Sequence, residues 1–147
     1  MTLPKARATA TPDISIGPSN IKGAGEGLFA GCEIPANVAL GHYKGVTRTE
    51  KDLGEIIRTE KKALGHSPTE AYAFALGDGT FVDAALEKGT SYTRFINEAP
   101  TVDERNCTPR NLRGKVYFIT TKLIESGKEI LTYYGNQYGR DYTIEEI

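Results

Sequence analysis

Cysteine is scarce in this sequence, with only Cys32 and Cys107. Two thiols cannot complete a four-ligand zinc site, and His42 and His66 stand at spacings that match no familiar metal motif, so no structural metal is expected. Long apolar runs are missing as well. No stretch approaches the length that spans a bilayer, and residues 1–12 lack the hydrophobic segment of a secretory signal, so the expectation is a soluble intracellular protein without membrane contact. Nor is there an excess of positive charge. Eighteen Lys and Arg against 19 Asp and Glu give a formal net charge of −1, which offers no general attraction to nucleic acid, although a local acidic groove would still draw a basic peptide. No internal repeat or low-complexity tract divides the chain, and 147 residues with 39% apolar content fit one domain with a modest core.

What is present is a succession of short strands and turns. Residues 1–12, rich in Thr, Ala and Pro, have no periodicity that would bury a face; they read as a flexible arm ahead of a single domain over 13–147. Asp13-Ile14-Ser15-Ile16 alternates as a first strand does, and Gly17-Pro18-Ser19-Asn20 supplies a turn. In Ile21-Lys22-Gly23-Ala24-Gly25-Glu26-Gly27-Leu28-Phe29-Ala30, alternating glycines either let the backbone approach a ligand or form a tight hairpin. Leu28-Phe29-Ala30 then re-enters the core as a strand. A phosphate-cradling loop is disfavoured, since no Lys-Ser or Lys-Thr ending and no helical pattern follow.

Residues 38–45 read as a strand with a turn. From Thr49 as N-cap, Leu53, Ile56, Ile57 and Leu64 recur at helical spacing until Gly65, which predicts one scaffold helix. Residues 71–76 and 80–83 flank Gly77-Asp78-Gly79, a hairpin signal. Ser91-Tyr92-Thr93-Arg94-Phe95-Ile96-Asn97 is aromatic-rich and ends on a side chain that both donates and accepts. Val116-Tyr117-Phe118-Ile119-Thr120-Thr121 is the clearest core strand. Near the C-terminus Gly127 and Lys128 make a turn, Ile130-Leu131-Thr132-Tyr133 gives a strand, and Gly135 ends it. Tyr134, at the strand exit, is either a half-buried aromatic or a hydroxyl aimed into a cavity.

Three of these segments, in order, resemble the SET domain, the lysine methyltransferase fold that uses S-adenosylmethionine. Gly23-Ala24-Gly25-Glu26-Gly27-Leu28-Phe29-Ala30 is similar to its first motif. Arg94-Phe95-Ile96-Asn97, with Asn106-Cys107 downstream, resembles the central one, and Gly127-Lys128-Glu129-Ile130 through Tyr134-Gly135 the last. The ending Tyr134-Gly135-Asn136-Gln137-Tyr138-Gly139 also resembles the PR subgroup. The likeness runs from about residue 14 to 142 and implies a mostly β fold with minor α, made of small sheets with a knot-like threading of the C-terminal segment, in which Asn97 and Tyr134 are neighbours.

By the same resemblance, Tyr134 is the catalytic residue, and the backbone of Ala24, Gly25 and Glu26 holds the amino-acid portion of S-adenosylmethionine. Asn97 and Glu98 contact the cofactor from the other side, Tyr72 and Tyr92 line cofactor and channel walls, and Tyr43 and Tyr138 belong to the substrate channel. Arg94 reads as structural. The implied activity is methyl transfer to a protein lysine in a basic peptide, a histone tail by family analogy, which would make the location nuclear.

The sequence departs from the pattern at Glu98-Ala99-Pro100, where many SET domains have His-Ser-Cys; PR-type domains lose that histidine too. It also has no cysteine cluster after Tyr134, so Tyr138 and Tyr142 are left to wall the channel or to pack a C-terminal helix. The alternative from a different class is a PR-like interaction module with weak or no transferase activity, for which Glu98-Ala99-Pro100 is the sign.

Overall fold

The computed structural model describes residues 13–76, 78–85, 92–113 and 115–134. Among them are ten short strands, two α-helices and one 3-10 turn, so the chain is mostly β with minor α. None of these helices is long and apolar enough to cross a membrane. The N-terminal arm expected over 1–12, and Tyr138 and Tyr142 of the tail, lie outside the described residues.

β1 (Ile14–Pro18) pairs antiparallel with β2 (Glu26–Ala30), Ile14 opposite Ala30 and Pro18 opposite Glu26. Gly17 and Pro18, expected in the turn, prolong the strand instead. The turn is residues 19–25, closed by Ser19 N–H donating to the Gly25 carbonyl at 2.8 Å. Gly25 sits at φ +73°, a left-handed conformation that side chains resist, which is why this connection needs glycine.

β3 (Ala39–His42) and β4 (Val46–Thr49) lead into α1 (Glu50–Leu64). Thr49 Oγ1 accepts from Asp52 N at 3.2 Å, Glu50 and Asp52 lie in the first turn, Lys61 and Lys62 in the last, and Gly65 closes the end. Cap and charges thus both match the helix dipole. A second helix, α2 (Pro68–Tyr72), interrupts the stretch expected to be strand from residue 71. Ser67 caps it, and the Glu60 carboxylate of α1 receives Ser67 Oγ (2.7 Å), Thr69 N (3.0 Å) and Thr69 Oγ1 (2.9 Å), clasping the two helices. The expected hairpin follows as β5 (Ala73–Ala75) and β6 (Thr80–Asp83), with β6 central between β4 and β5.

After the 3-10 turn Tyr92–Phe95 come β7 (Asn97–Glu98), β8 (Cys107–Leu112), β9 (Lys115–Thr120) and β10 (Leu131–Thr132). β9 is the middle strand of a β3-β9-β8 sheet and turns Val116 and Phe118 into the core, as its pattern predicts. There they meet Leu28, Leu40, Ile96 and Ile130, each burial contributing about 1.5–3 kcal/mol. β10 lies parallel to β7, Leu131 opposite Asn97 and Thr132 opposite Glu98. This pairing brings the central and last motifs together. The expected knot-like threading is a reading of the C-terminal segment, of which residues 135–147 lie outside the described residues.

Candidate active site

Tyr134 leaves β10 held at two points. Its backbone N–H donates to Glu98 Oε2 at 2.6 Å, and its hydroxyl donates to the Ile96 carbonyl at 2.7 Å. The parallel pairing of β7 with β10 makes this possible, because it sets Ile96 and Glu98 on the chain beside the strand exit. The ring faces a cavity of about 410 Å³ lined also by Phe74, Arg105, Cys107, Thr108, Pro109, Thr121 and Tyr133. The Arg105 guanidinium stacks 4.2 Å from the Tyr133 ring centroid. Burial pushes the Cys107 thiol up to about 12, so it stays protonated and is no nucleophile.

The other predicted tyrosines among the described residues do not line this cavity. Tyr43 is buried; its hydroxyl donates to the Tyr72 carbonyl at 2.6 Å, and its ring packs on Phe74 and Phe118 at 5.7 and 6.1 Å between centroids. It therefore backs Phe74, which itself lines the cavity. Tyr92 donates its hydroxyl to the Leu40 carbonyl, and burial raises its pKa above the usual phenol value. Tyr72 lies under the Arg94 guanidinium, 4.1 Å from the ring centroid, and Arg94 also covers Phe95 and donates to the Ala85 carbonyl. Arg94 is thus a packing residue, as expected. Tyr138 lies outside the described residues.

Asn97 meets the glycine loop. Its Nδ2 donates to the Glu26 carbonyl at 2.8 Å and approaches Glu129 Oε2 at 3.4 Å, while Ala24 N–H closes the loop on the Ile21 carbonyl at 3.1 Å. Gly25 and Glu26 are exposed, and nothing lies within 4 Å of where a Gly25 side chain would begin. Glu98, by contrast, is 3% exposed, and its carboxylate accepts from Tyr134 N–H.

Two further residues here fall inside the motifs that resemble the SET domain but receive no role of their own from the sequence. Glu129, 5% exposed, accepts from Ser19 Oγ at 2.7 Å and Asn20 N at 2.8 Å. Asn106 brackets the strand ahead of Tyr134: its Nδ2 donates to the Glu129 carbonyl and its Oδ1 accepts from Leu131 N, both at 2.9 Å. An indirect pointer to Glu129 exists in Gly27, a glycine inside a strand, which marks a close approach. A Cβ on Gly27 would collide with Glu129 Oε2. Among the described residues no three of His, Cys, Asp and Glu gather as a metal site would require.

The PR domain model of PR domain zinc finger protein 2 matches residues 14–145. The chain belongs to the PR domain family. This PR domain is 28% identical over 129 residues to histone-lysine N-methyltransferase set-17 of Caenorhabditis elegans, a match covering 87% of the chain and 43% of that protein. It is 25% identical over 138 residues to histone-lysine N-methyltransferase PRDM7 of Homo sapiens, covering 90% of the chain and 25% of the relative. It thus spans less than half the length of either relative. Among solved structures, ctPRC2 in an autoinhibited conformation bound to S-adenosylmethionine superposes with a TM-score of 0.70 at 26% identity, over 89% of this chain and 16% of that one. The PR domain therefore has the SET-like fold, mostly β with few helices.

Proposed function

We propose that this PR domain transfers a methyl group from S-adenosylmethionine to a lysine of a basic peptide, a histone tail foremost, which would place it in the nucleus. The observation that carries the reading is Tyr134, fixed by backbone and hydroxyl beside the Asn97 strand and facing a cavity. Two relatives named as histone-lysine methyltransferases, and the likeness to ctPRC2 bound to S-adenosylmethionine, support it.

The residues present fit such a cofactor. The Ala24-Gly25-Glu26 backbone, open to approach at Gly25, would hold its amino-acid portion, with Asn97 and the Glu98 backbone alongside. When bound, the group supplies an electrophilic methyl on a positively charged sulfur. A phenol hydroxyl has one proton to donate and lone pairs to accept. With the Tyr134 proton directed to the Ile96 carbonyl, its lone pairs are what it offers to an incoming amine N–H. Tyr134 is then an orienting acceptor and not a base, since a phenol of pKa ~10 holds its proton at neutral pH. Deprotonating a lysine of pKa ~10.4 at pH 7 costs roughly 4–5 kcal/mol, whereas alignment contributes about 7–11, so positioning outweighs the protonation cost.

A second reading, an interaction module with little or no transfer activity, draws on Glu98, whose carboxylate is engaged by Tyr134 where a ligand contact was expected. Radiolabelled S-adenosylmethionine and mixed core histones, resolved by gel with Tyr134→Phe alongside, separate the two. A labelled band that falls about 10²–10³-fold in the variant is the expected result, the usual loss for one positioned polar group at a reacting centre. No label together with no cofactor binding by calorimetry would leave the module.

A further inference from the structure

We infer that Glu129 is the positioning residue that presets the cofactor loop and ties it to Asn97; the inference rests on the methyltransferase reading above. The geometry is specific. One largely buried carboxylate collects a hydroxyl from Ser19 on Oε2 (2.7 Å), the backbone N–H of Asn20 on Oε1 (2.8 Å) and the outlying Asn97 Nδ2 (3.4 Å). Those partners belong to the entry of the glycine loop and to β7, while Glu129 itself belongs to the segment that ends on Tyr134. Ser19 Oγ in turn accepts from Ile21 N at 3.0 Å, so the hold continues one residue further into the loop.

The backbone around Glu129 is anchored independently. Ala30 N–H donates to the Lys128 carbonyl at 2.9 Å and Ile130 N–H to the Leu28 carbonyl at 2.7 Å, which clamps the chain on either side of the carboxylate. Gly27 leaves the space that the carboxylate occupies. The strand is thus paired through its backbone on both sides of Glu129, whereas the hold on the loop runs through the side chain. Residues 22, 23, 25 and 26 are exposed, and a loop left to order itself on binding weakens affinity by the entropy of that ordering.

Glu129→Gln is the informative variant, because all three groups aimed at the carboxylate are donors. An amide of nearly the same shape keeps one acceptor and sets a donor against either Asn20 N–H or the Ser19 and Asn97 pair. The expected result has two parts. Without cofactor, hydrogen exchange at Asn20 and Ile21 speeds up by about tenfold or more in Glu129→Gln, and calorimetry shows S-adenosylmethionine bound roughly tenfold more weakly than by the unsubstituted chain, the effect of losing charge-assisted hydrogen bonds. Ser19→Ala, a milder change, moves both readouts in the same direction.

Glu60→Gln is the control, since Glu60 is another carboxylate with three donors, in the helix clasp; it lowers stability and leaves cofactor affinity unchanged. Unchanged exchange at Asn20 in Glu129→Gln overturns the loop-setting role. Altered exchange with unchanged affinity overturns the link to the cofactor. No binding by the unsubstituted chain at any cofactor concentration overturns the methyltransferase reading itself, with the exchange result still deciding whether Glu129 sets the loop.

Discussion

Glu98 occupies the position after Asn97 where many SET-domain sequences carry histidine, and its side chain accepts the Tyr134 N–H in a nearly dry environment. That contact fixes the backbone from which the Tyr134 hydroxyl is aimed. Glu98→Ala would leave a buried donor without its acceptor, lowering stability by about 1–3 kcal/mol. Turnover should fall more than the stability loss explains, by as much as ~10²-fold, because small displacements of an aligned group are expensive in rate. Glu98→Gln can still present an oxygen to Tyr134 N–H and should keep most of the activity. Steady-state kinetics and urea denaturation on both variants check the pair of outcomes. Equal turnover in Ala and Gln would assign Glu98 no part in aiming Tyr134.

Among the elements, β2 and the segment 127–130 meet at Gly27 and Glu129, and their fit makes a coupling prediction. Gly27→Ala drives a methyl group into the space of Glu129 Oε2 and within 3.2 Å of Ser19 Cβ. The carboxylate end must turn away and release Ser19, so the substitution should destabilise by about 1–3 kcal/mol, mostly through those lost hydrogen bonds. Gly27→Ala combined with Glu129→Gln should then be clearly less destabilising than the sum of the two, a non-additivity read from a double-mutant cycle in urea. Additive effects would mean that the methyl clashes with something other than the carboxylate.

The same elements show which parts of the fold could be read in advance. α1 was legible because cap, periodicity and terminal glycine agree, and β9 because a run of apolar and β-branched residues fills the middle of a sheet. The neighbourhood of Asn97 and Tyr134 came only through the family resemblance, since no local pattern reports a parallel pairing across more than thirty residues. β8 was hidden by Pro109, which argues against a strand; the structure accommodates it at a sheet edge, where a missing N–H does no harm. α2 was hidden by the apolar run that follows it, although Ser67-Pro68-Thr69-Glu70 carries an N-cap signature, with Ser67 Oγ accepting from Glu70 N at 3.0 Å. Glu129 was hidden because a charged residue beside Lys128 after a turn reads as solvent-facing; only the three-dimensional approach of Gly27 reveals it as buried.

At the scale of the whole molecule, two titrating groups favour the same direction with pH. His42 lies below its ordinary pKa, first through burial and then through Lys44 and Lys115. The unfolded chain therefore takes up this proton more readily, and stability that is full above about pH 6.5 declines as pH falls through the folded-state value. Glu60 is also lowered: burial acts to raise it, but the hydrogen bonds from Ser67 and Thr69, with His66 nearby, outweigh burial. Its contribution is full above the unfolded carboxylate value near 4.3 and is lost below it. Urea midpoints should fall in two stages between pH 7.5 and 3.5, with His42→Gln flattening the upper stage and Glu60→Gln the lower.

A bound cofactor would act on the same balance from the other side, because its contacts would join segments that are far apart in sequence. A ligand that binds only the folded state at a hundred times its dissociation constant adds about 2.7 kcal/mol, which for a domain of this length is a rise of roughly 5–11 °C in thermal midpoint. Saturating S-adenosylmethionine should produce a shift of that size in the unsubstituted chain. In Tyr134→Phe it should be nearly as large, since the hydroxyl is turned to the Ile96 carbonyl and the role proposed for it is to align the amine, not to hold the cofactor. In Glu129→Gln, at the same cofactor concentration, the shift should be about half. Tenfold weaker binding takes about 1.4 kcal/mol from the 2.7. A full shift in Glu129→Gln would separate cofactor binding from the loop contacts at Ser19 and Asn20, whereas a lost shift in Tyr134→Phe would move Tyr134 from aligning substrate to holding cofactor.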